Sequence, residues 1–114
     1  MENVIEMERS ILCTVLFAYI ISDEHSEAIN AFKLSDEYFV DDFHKMVARV
    51  LVWLRNNDKH VTDDAVIFYL QKYKQMDENK MLQITAHNWL GLKTYSMYYD
   101  LLKENTQQSL IGDL

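Results

Sequence analysis

An all-helical fold is predicted by three features of the sequence. The 114 residues contain no proline and only two glycines, Gly91 and Gly112. Apolar residues recur at three- and four-residue spacing along most of the chain, and no extended stretch alternates apolar with polar residues as a half-buried strand would. Nearly half of the residues are apolar and 12% are aromatic, a composition that can pay for ordering a core. The length suits one domain, a compact bundle of about six helices.

The first helix is expected from about Glu2 to Ile21. Its apolar residues begin as a stripe (Val4, Ile5, Ile11, Leu12) and then almost encircle it, which predicts burial on most sides. Ser22 or Asp23 caps a short second helix running through Ala31, because a side-chain oxygen there can accept from the free amides of the first turn. Ser35 caps a third, short element containing Tyr38 and Phe39. Asp41 or Asp42 opens a long helix from about Phe43 to Asn56, with Phe43, Met46, Val47, Val50, Leu51 and Leu54 on its core face and Trp53 beside it.

Asn56-Asn57-Asp58-Lys59-His60 ends that helix. Thr62 starts the next, where Asp63 and Asp64 suit the positive end of the helix dipole. Its apolar positions are Val66, Phe68, Tyr69, Leu70 and Tyr73. Asp77 caps a helix carrying Met81, Leu82 and Ile84 that ends near His87 and Asn88. Trp89-Leu90-Gly91-Leu92 forms a turn, and a last helix runs from near Thr94 to about Leu110. Residues 1–92 are read as a globular head and 93–114 as a C-terminal helix of the same domain.

Charge narrows the range of functions. Eleven basic residues face eighteen acidic ones, a net charge of −7. Nucleic acid is held chiefly through Lys and Arg on phosphates, so direct nucleic-acid binding by this domain is not expected. A protein partner with a basic surface suits the charge better. The apolar stretch from Ile11 to Ile21 is preceded by Glu2, Glu6 and Glu8, where a signal peptide would be positive. It is also far shorter than the roughly 20 residues of a membrane span. One cysteine, Cys13, inside an apolar run, points to a buried thiol and a reducing, cytoplasmic setting.

The search for catalytic machinery finds little. There is no GxxxxGK phosphate loop followed by Ser or Thr, so the chain cannot by itself be an ATPase of that class. The four histidines (His25, His44, His60, His87) form no HxxxH or HExxH pair. Metal clusters could be drawn from His25 with Glu24 and Glu27, or from Asp41, Asp42 and His44, but these acids stand where helix caps and first turns are expected. Neither metal, cofactor nor catalytic residue is assigned. The aromatics Tyr95, Tyr98 and Tyr99 have only Lys93 and Lys103 as basic neighbours. Packing therefore explains them better than base stacking, with part of the set left over as a protein-contact surface.

Four segments, in order, carry a resemblance. Glu8-Arg9-Ser10-Ile11-Leu12 resembles the Glu-x-x-Val/Ile-Leu opening of the N-terminal domain of DnaB-type replicative helicases, with Cys13 where that family usually has glycine. Ser35-Asp36-Glu37-Tyr38-Phe39 is similar to the family's acidic-then-aromatic element before a long helix. His60-Val61-Thr62, followed by Asp63 and Asp64, stands where the family has Pro-Ile-Asp. Tyr98-x-Asp100-Leu101-Leu102-Lys103-Glu104 resembles the family's Tyr-x-x-x-Val/Ile-Lys/Arg-Glu segment. The match spans about residues 6 to 105 and describes a divergent member.

The resemblance implies a non-enzymatic part of an ATP-dependent enzyme. In that family the helical N-terminal domains form a collar on a hexameric ring, pair through a helical hairpin, and help dock primase or a helicase loader during DNA replication. The chain stops soon after Leu110, where the first arm of that hairpin would still be running, so a hairpin cut short is expected. The expected contact surface is Trp89, Tyr95, Tyr98, Tyr99 and Leu102. Two other readings stay open: the helicase-binding C-terminal domain of a primase, which resembles the same helical fold, and a stand-alone helicase regulator, which an acidic surface would also suit.

Overall fold

In the computed structural model the backbone is described for residues 3–112 and side chains for residues 3–106. Six α-helices account for most of the described residues: α1 (Val4–Ile21), α2 (Asp23–Asn30), α3 (Asp42–Asn56), α4 (Asp63–Lys72), α5 (Glu78–Thr85) and α6 (Leu92–Gly112). A single 3₁₀ turn, Asp36–Tyr38, precedes α3, and no strand occurs among the described residues.

The helix starts follow from side-chain caps. Asn3, Ser22, Asp41, Thr62 and Asp77 each accept a hydrogen bond from the amide three residues on, at 2.8–3.1 Å. Each satisfies one of the amides that a helix leaves without an internal partner. Ser35 does the same for the 3₁₀ turn through the Glu37 amide. Asn3 fixes the start of α1 at Val4; the expected start, Glu2, lies outside the described residues.

Two helix ends share a motif that normally uses glycine. After α3, the amides of Asp58 and Lys59 donate to the carbonyls of Arg55 and Leu54 at 3.2 and 2.9 Å. After α4, those of Lys74 and Gln75 donate to Gln71 and Leu70 at 3.1 and 2.8 Å. Each arrangement needs one left-handed residue, supplied by Asp58 (φ 55°) and Lys74 (φ 57°). A side chain in that conformation costs roughly 1–2 kcal/mol relative to the right-handed one.

The central helix is α1, buried from Met7 to Leu16 on nearly every side, as the encircling pattern predicts. α2, α3, α5 and α6 pack around it, and α4 packs on α3. Ile11, Leu12 and Leu16 meet Val47 and Leu54 of α3, Val66 and Leu70 of α4, Ile84 of α5 and Tyr95 and Leu102 of α6 in one core. The first half of α6 thus belongs to the same core as the residues before it.

The structure refines several boundaries. Phe39 is not in the short helix; it follows the 3₁₀ turn in extended conformation and is buried. α6 begins at Leu92, two residues before Thr94 and on the last residue of the expected turn. On α3, Phe43, Val47, Leu51 and Leu54 are buried as expected. Met46 and Val50 are only half-buried, and the inward positions His44 and Ala48 take their place.

Candidate protein-contact surfaces

A polar cluster sits inside the bundle where α1 meets the start of α3. Glu8 is fully buried and His44 nearly so, and Nδ1 of His44 lies 2.8 Å from Oε1 of Glu8. The amide of Val40 donates to Oε2 at 2.7 Å and that of Asp41 to Oε1 at 3.4 Å. Because both carboxyl oxygens accept from the backbone, the proton shared with His44 is assigned to Nδ1. Asp41, the α3 cap, in turn accepts from Lys80 Nζ on α5 at 2.9 Å.

This cluster gives each buried polar group a partner and ties three helices together, which is a structural task. Glu8 and His44 line neither the cavity bordered by Val15, Leu51 and Val61 nor the groove bordered by Arg49 and Trp53. The Asp41, Asp42, His44 group that could be drawn as metal ligands is thereby accounted for: Asp41 caps, and His44 faces Glu8. Among the described residues no three His, Cys, Asp or Glu side chains gather as ligands.

Cys13 is buried, and its thiol donates to the His87 carbonyl at 3.1 Å. Burial pushes the thiol up to about 11, away from the thiolate that nucleophilic chemistry requires. Next to it, Thr14 Oγ1 accepts from the Leu90 amide at 2.9 Å. These two bonds fasten the segment between α5 and α6 onto α1. They also lay Trp89 against Phe17, with ring centroids 6.2 Å apart and planes inclined by 20°.

The five residues expected to form the contact surface divide. Tyr95 and Leu102 are buried almost completely, and Tyr99 is 9% exposed. Phe32 packs edge-on against both Tyr95 and Tyr99, at 5.1 and 5.2 Å, and the Tyr99 hydroxyl donates to the Lys33 carbonyl. These three side chains anchor α6 into the bundle, so in this fold they offer no area for a partner. Trp89, 44% exposed, and the half-buried Tyr98 remain at the surface. The outward row on α6 also includes Met97 and Leu101, 53% and 43% exposed and one turn apart, which spacing alone had not selected.

A second surface lies on the α3–α4 hairpin. Arg49, Val50 and Trp53 of α3 and Tyr69 and Tyr73 at the end of α4 line an open groove of about 380 Å³. Trp53 meets Tyr69 edge-to-face at 5.0 Å, and Phe68 meets Tyr69 in the same way at 5.1 Å. Cations stand over the outer rings: Lys59 Nζ is 5.9 Å from the Trp53 centroid and Lys72 Nζ 5.6 Å from that of Tyr73. Arg49 is paired with Asp36 at 2.8 Å while most of its side chain stays exposed.

No family model, curated protein or solved structure matches this chain. Among the described residues, no helix is long and apolar enough to cross a membrane. The fold and its surfaces define an all-helical bundle with a polar tie at its centre and aromatic faces outside.

Proposed function

We propose that this chain is a non-catalytic interaction domain of the kind that forms the N-terminal collar of a DnaB-type replicative helicase. In this reading it associates with further copies through α6 and docks a primase or helicase loader in the cytoplasm during DNA replication. The observation that carries the reading is the outer face of α6. Tyr95, Tyr99 and Leu102 fix the helix rigidly in the core while Met97 and Leu101 stand exposed on its other side. A rigid helix presenting an apolar row is what helix-to-helix association uses.

The four ordered segments of the sequence supply the link to that helicase family. Glu8, which opens the first segment, and His44, in the long helix after the second, meet in the buried polar cluster. The resemblance therefore touches residues that hold the fold together.

Two measurements test the reading. The reading frame that follows the codon for Leu114 should encode an ATPase core with a phosphate loop. A stop codon directly after Leu114 would favour a stand-alone regulator, and a position downstream of a primase catalytic region would favour the primase domain. Affinity capture with the primase and loader from the same genome should retain at least one of them, with Met97→Glu or Leu101→Glu reducing self-association.

A further inference from the structure

The net charge of the chain hides a strong asymmetry. From Lys45 to Lys74 there are six basic against three acidic residues, and in the rest of the chain five basic against fifteen acidic. This stretch begins inside α3, past its first residue Asp42, and ends two residues beyond α4, and it carries the groove of Arg49, Val50, Trp53, Tyr69 and Tyr73. An aromatic concavity and the chain's basic segment therefore coincide.

We infer that this groove is the docking site for an acidic amphipathic helix of a partner protein. The partner would seat a large apolar side chain between Trp53 and Tyr73 and face its carboxylates to Arg49, Lys59 and Lys72. The inference rests on the reading of this chain as an interaction domain, and it holds whether or not the parent is a helicase.

Three observations choose this occupant. The groove volume, about 380 Å³, falls in the range of roughly 300–1,000 Å³ that takes compact ligands or a few anchoring side chains. Trp, Tyr and Arg at its lining are the residue types that dominate protein–protein hot spots. Arg49 lines the groove and Lys59 and Lys72 stand over two of its rings, so a helix with an apolar face and acidic flanks matches both.

The ring geometry disfavours single-stranded nucleic acid. Successive bases stack on open, parallel faces. Here Trp53 and Tyr69 lock edge-to-face at 64°, and Lys59 and Lys72 occupy positions over the faces of Trp53 and Tyr73.

The test is selection from a displayed library of random helical peptides of about 15 residues against the full chain, with counter-selection against Trp53→Ala. Circular dichroism first establishes that this variant, altered at a half-exposed position, is folded. The selected peptides should be net acidic, with apolar residues at three- and four-residue spacing. Their binding should shift the Trp53 indole N–H resonance and weaken at least about tenfold in Arg49→Glu and in Trp53→Ala. Leu82→Glu, at an exposed position of α5 outside both surfaces, should leave it unchanged.

Basic or neutral winners, equal binding to the variants, or no winners would overturn the inference. So would quenching of Trp53 by an oligothymidylate of about 20 nucleotides, which would assign the groove to nucleic acid. Broadening of the Trp53 signal with protein concentration alone would assign it to a second copy and overturn it equally. Loss of self-association or primase capture bears on the helicase reading and leaves this selection unaffected; failure of the selection leaves the helicase reading to the α6 face.

Discussion

Glu8 on α1 and His44 on α3, 36 residues apart, share a 2.8 Å hydrogen bond in the interior of the bundle. Glu8 also holds the amides of Val40 and Asp41, so one carboxyl fixes both the chain approaching α3 and the first turn of that helix. Removing it leaves three donors without this acceptor, the buried His44 ring N–H and two part-buried amides. Glu8→Ala should therefore cost about 3 kcal/mol or more, and Glu8→Gln clearly less, because the amide oxygen can still accept. Urea unfolding measures both, and a loss below about 1 kcal/mol in Glu8→Ala would contradict the role given to this side chain.

The Asp41–Lys80 pair gives stability a predictable dependence on pH. Burial pushes the Asp41 carboxyl up, but the hydrogen bonds from Lys80 and the His44 amide, with the positive charges beside it, outweigh burial and hold it below the ordinary value. A lowered carboxyl stabilises the fold above its unfolded value, near 4. That contribution is lost as pH falls through the lower folded value. The Lys80 ammonium is raised, chiefly by its hydrogen bond to Asp41. Its contribution is present below the unfolded lysine value and lost as pH rises through the folded one. Lys80→Met should flatten both the acid and the alkaline limbs of a stability–pH profile and leave the ranking of other variants near neutrality unchanged. An unaltered acid limb would contradict the pairing.

Tyr95 and Leu102 are both buried, yet their substitutions should differ sharply. The Tyr95 hydroxyl is buried with no hydrogen-bond partner among the described residues, and burial raises it above the usual tyrosine value. Tyr95→Phe keeps the ring and its edge contact with Phe32 while removing an unsatisfied group, so stability should hold or rise by about 1 kcal/mol. Leu102→Ala removes packed atoms from the same core and should cost about 2–5 kcal/mol. Thermal unfolding of the two variants separates these outcomes. A large loss in Tyr95→Phe would mean that the hydroxyl is bonded after all.

Lys74 ends α4 in a left-handed conformation that glycine adopts freely. Lys74→Gly should stabilise the fold by up to about 1 kcal/mol, since the strain relieved exceeds the entropy that glycine adds to the unfolded chain. A destabilisation in chemical unfolding would show that the lysine side chain contributes more than its backbone costs.

How far the sequence reveals this molecule depends on what each signal reports. Caps at Ser35, Asp41, Thr62 and Asp77 are local, so four element starts could be read from single residues. The encircling apolar pattern of α1 likewise announces a central helix. Periodicity, however, marks a face without saying what covers it. Tyr95, Tyr99 and Leu102 form an i, i+4, i+7 row that suits a core and an interface equally, and here the core takes it. Glu8 and His44 are polar residues whose inward direction no apolar pattern encodes; only the fold brings them together. Trp53 could be placed beside the α3 core face, and Tyr69 and Tyr73 among the apolar positions of α4. Their meeting across the hairpin is a tertiary fact.

The most direct test of the interaction role is the mass of the protein by light scattering over a range of concentrations, alone and with the primase from the same genome. A mass that climbs towards a multiple of the single chain, or a complex that forms with primase, and that Met97→Glu or Leu101→Glu reduces, is the predicted result. A mass that stays at that of one chain throughout, with and without primase, would contradict it.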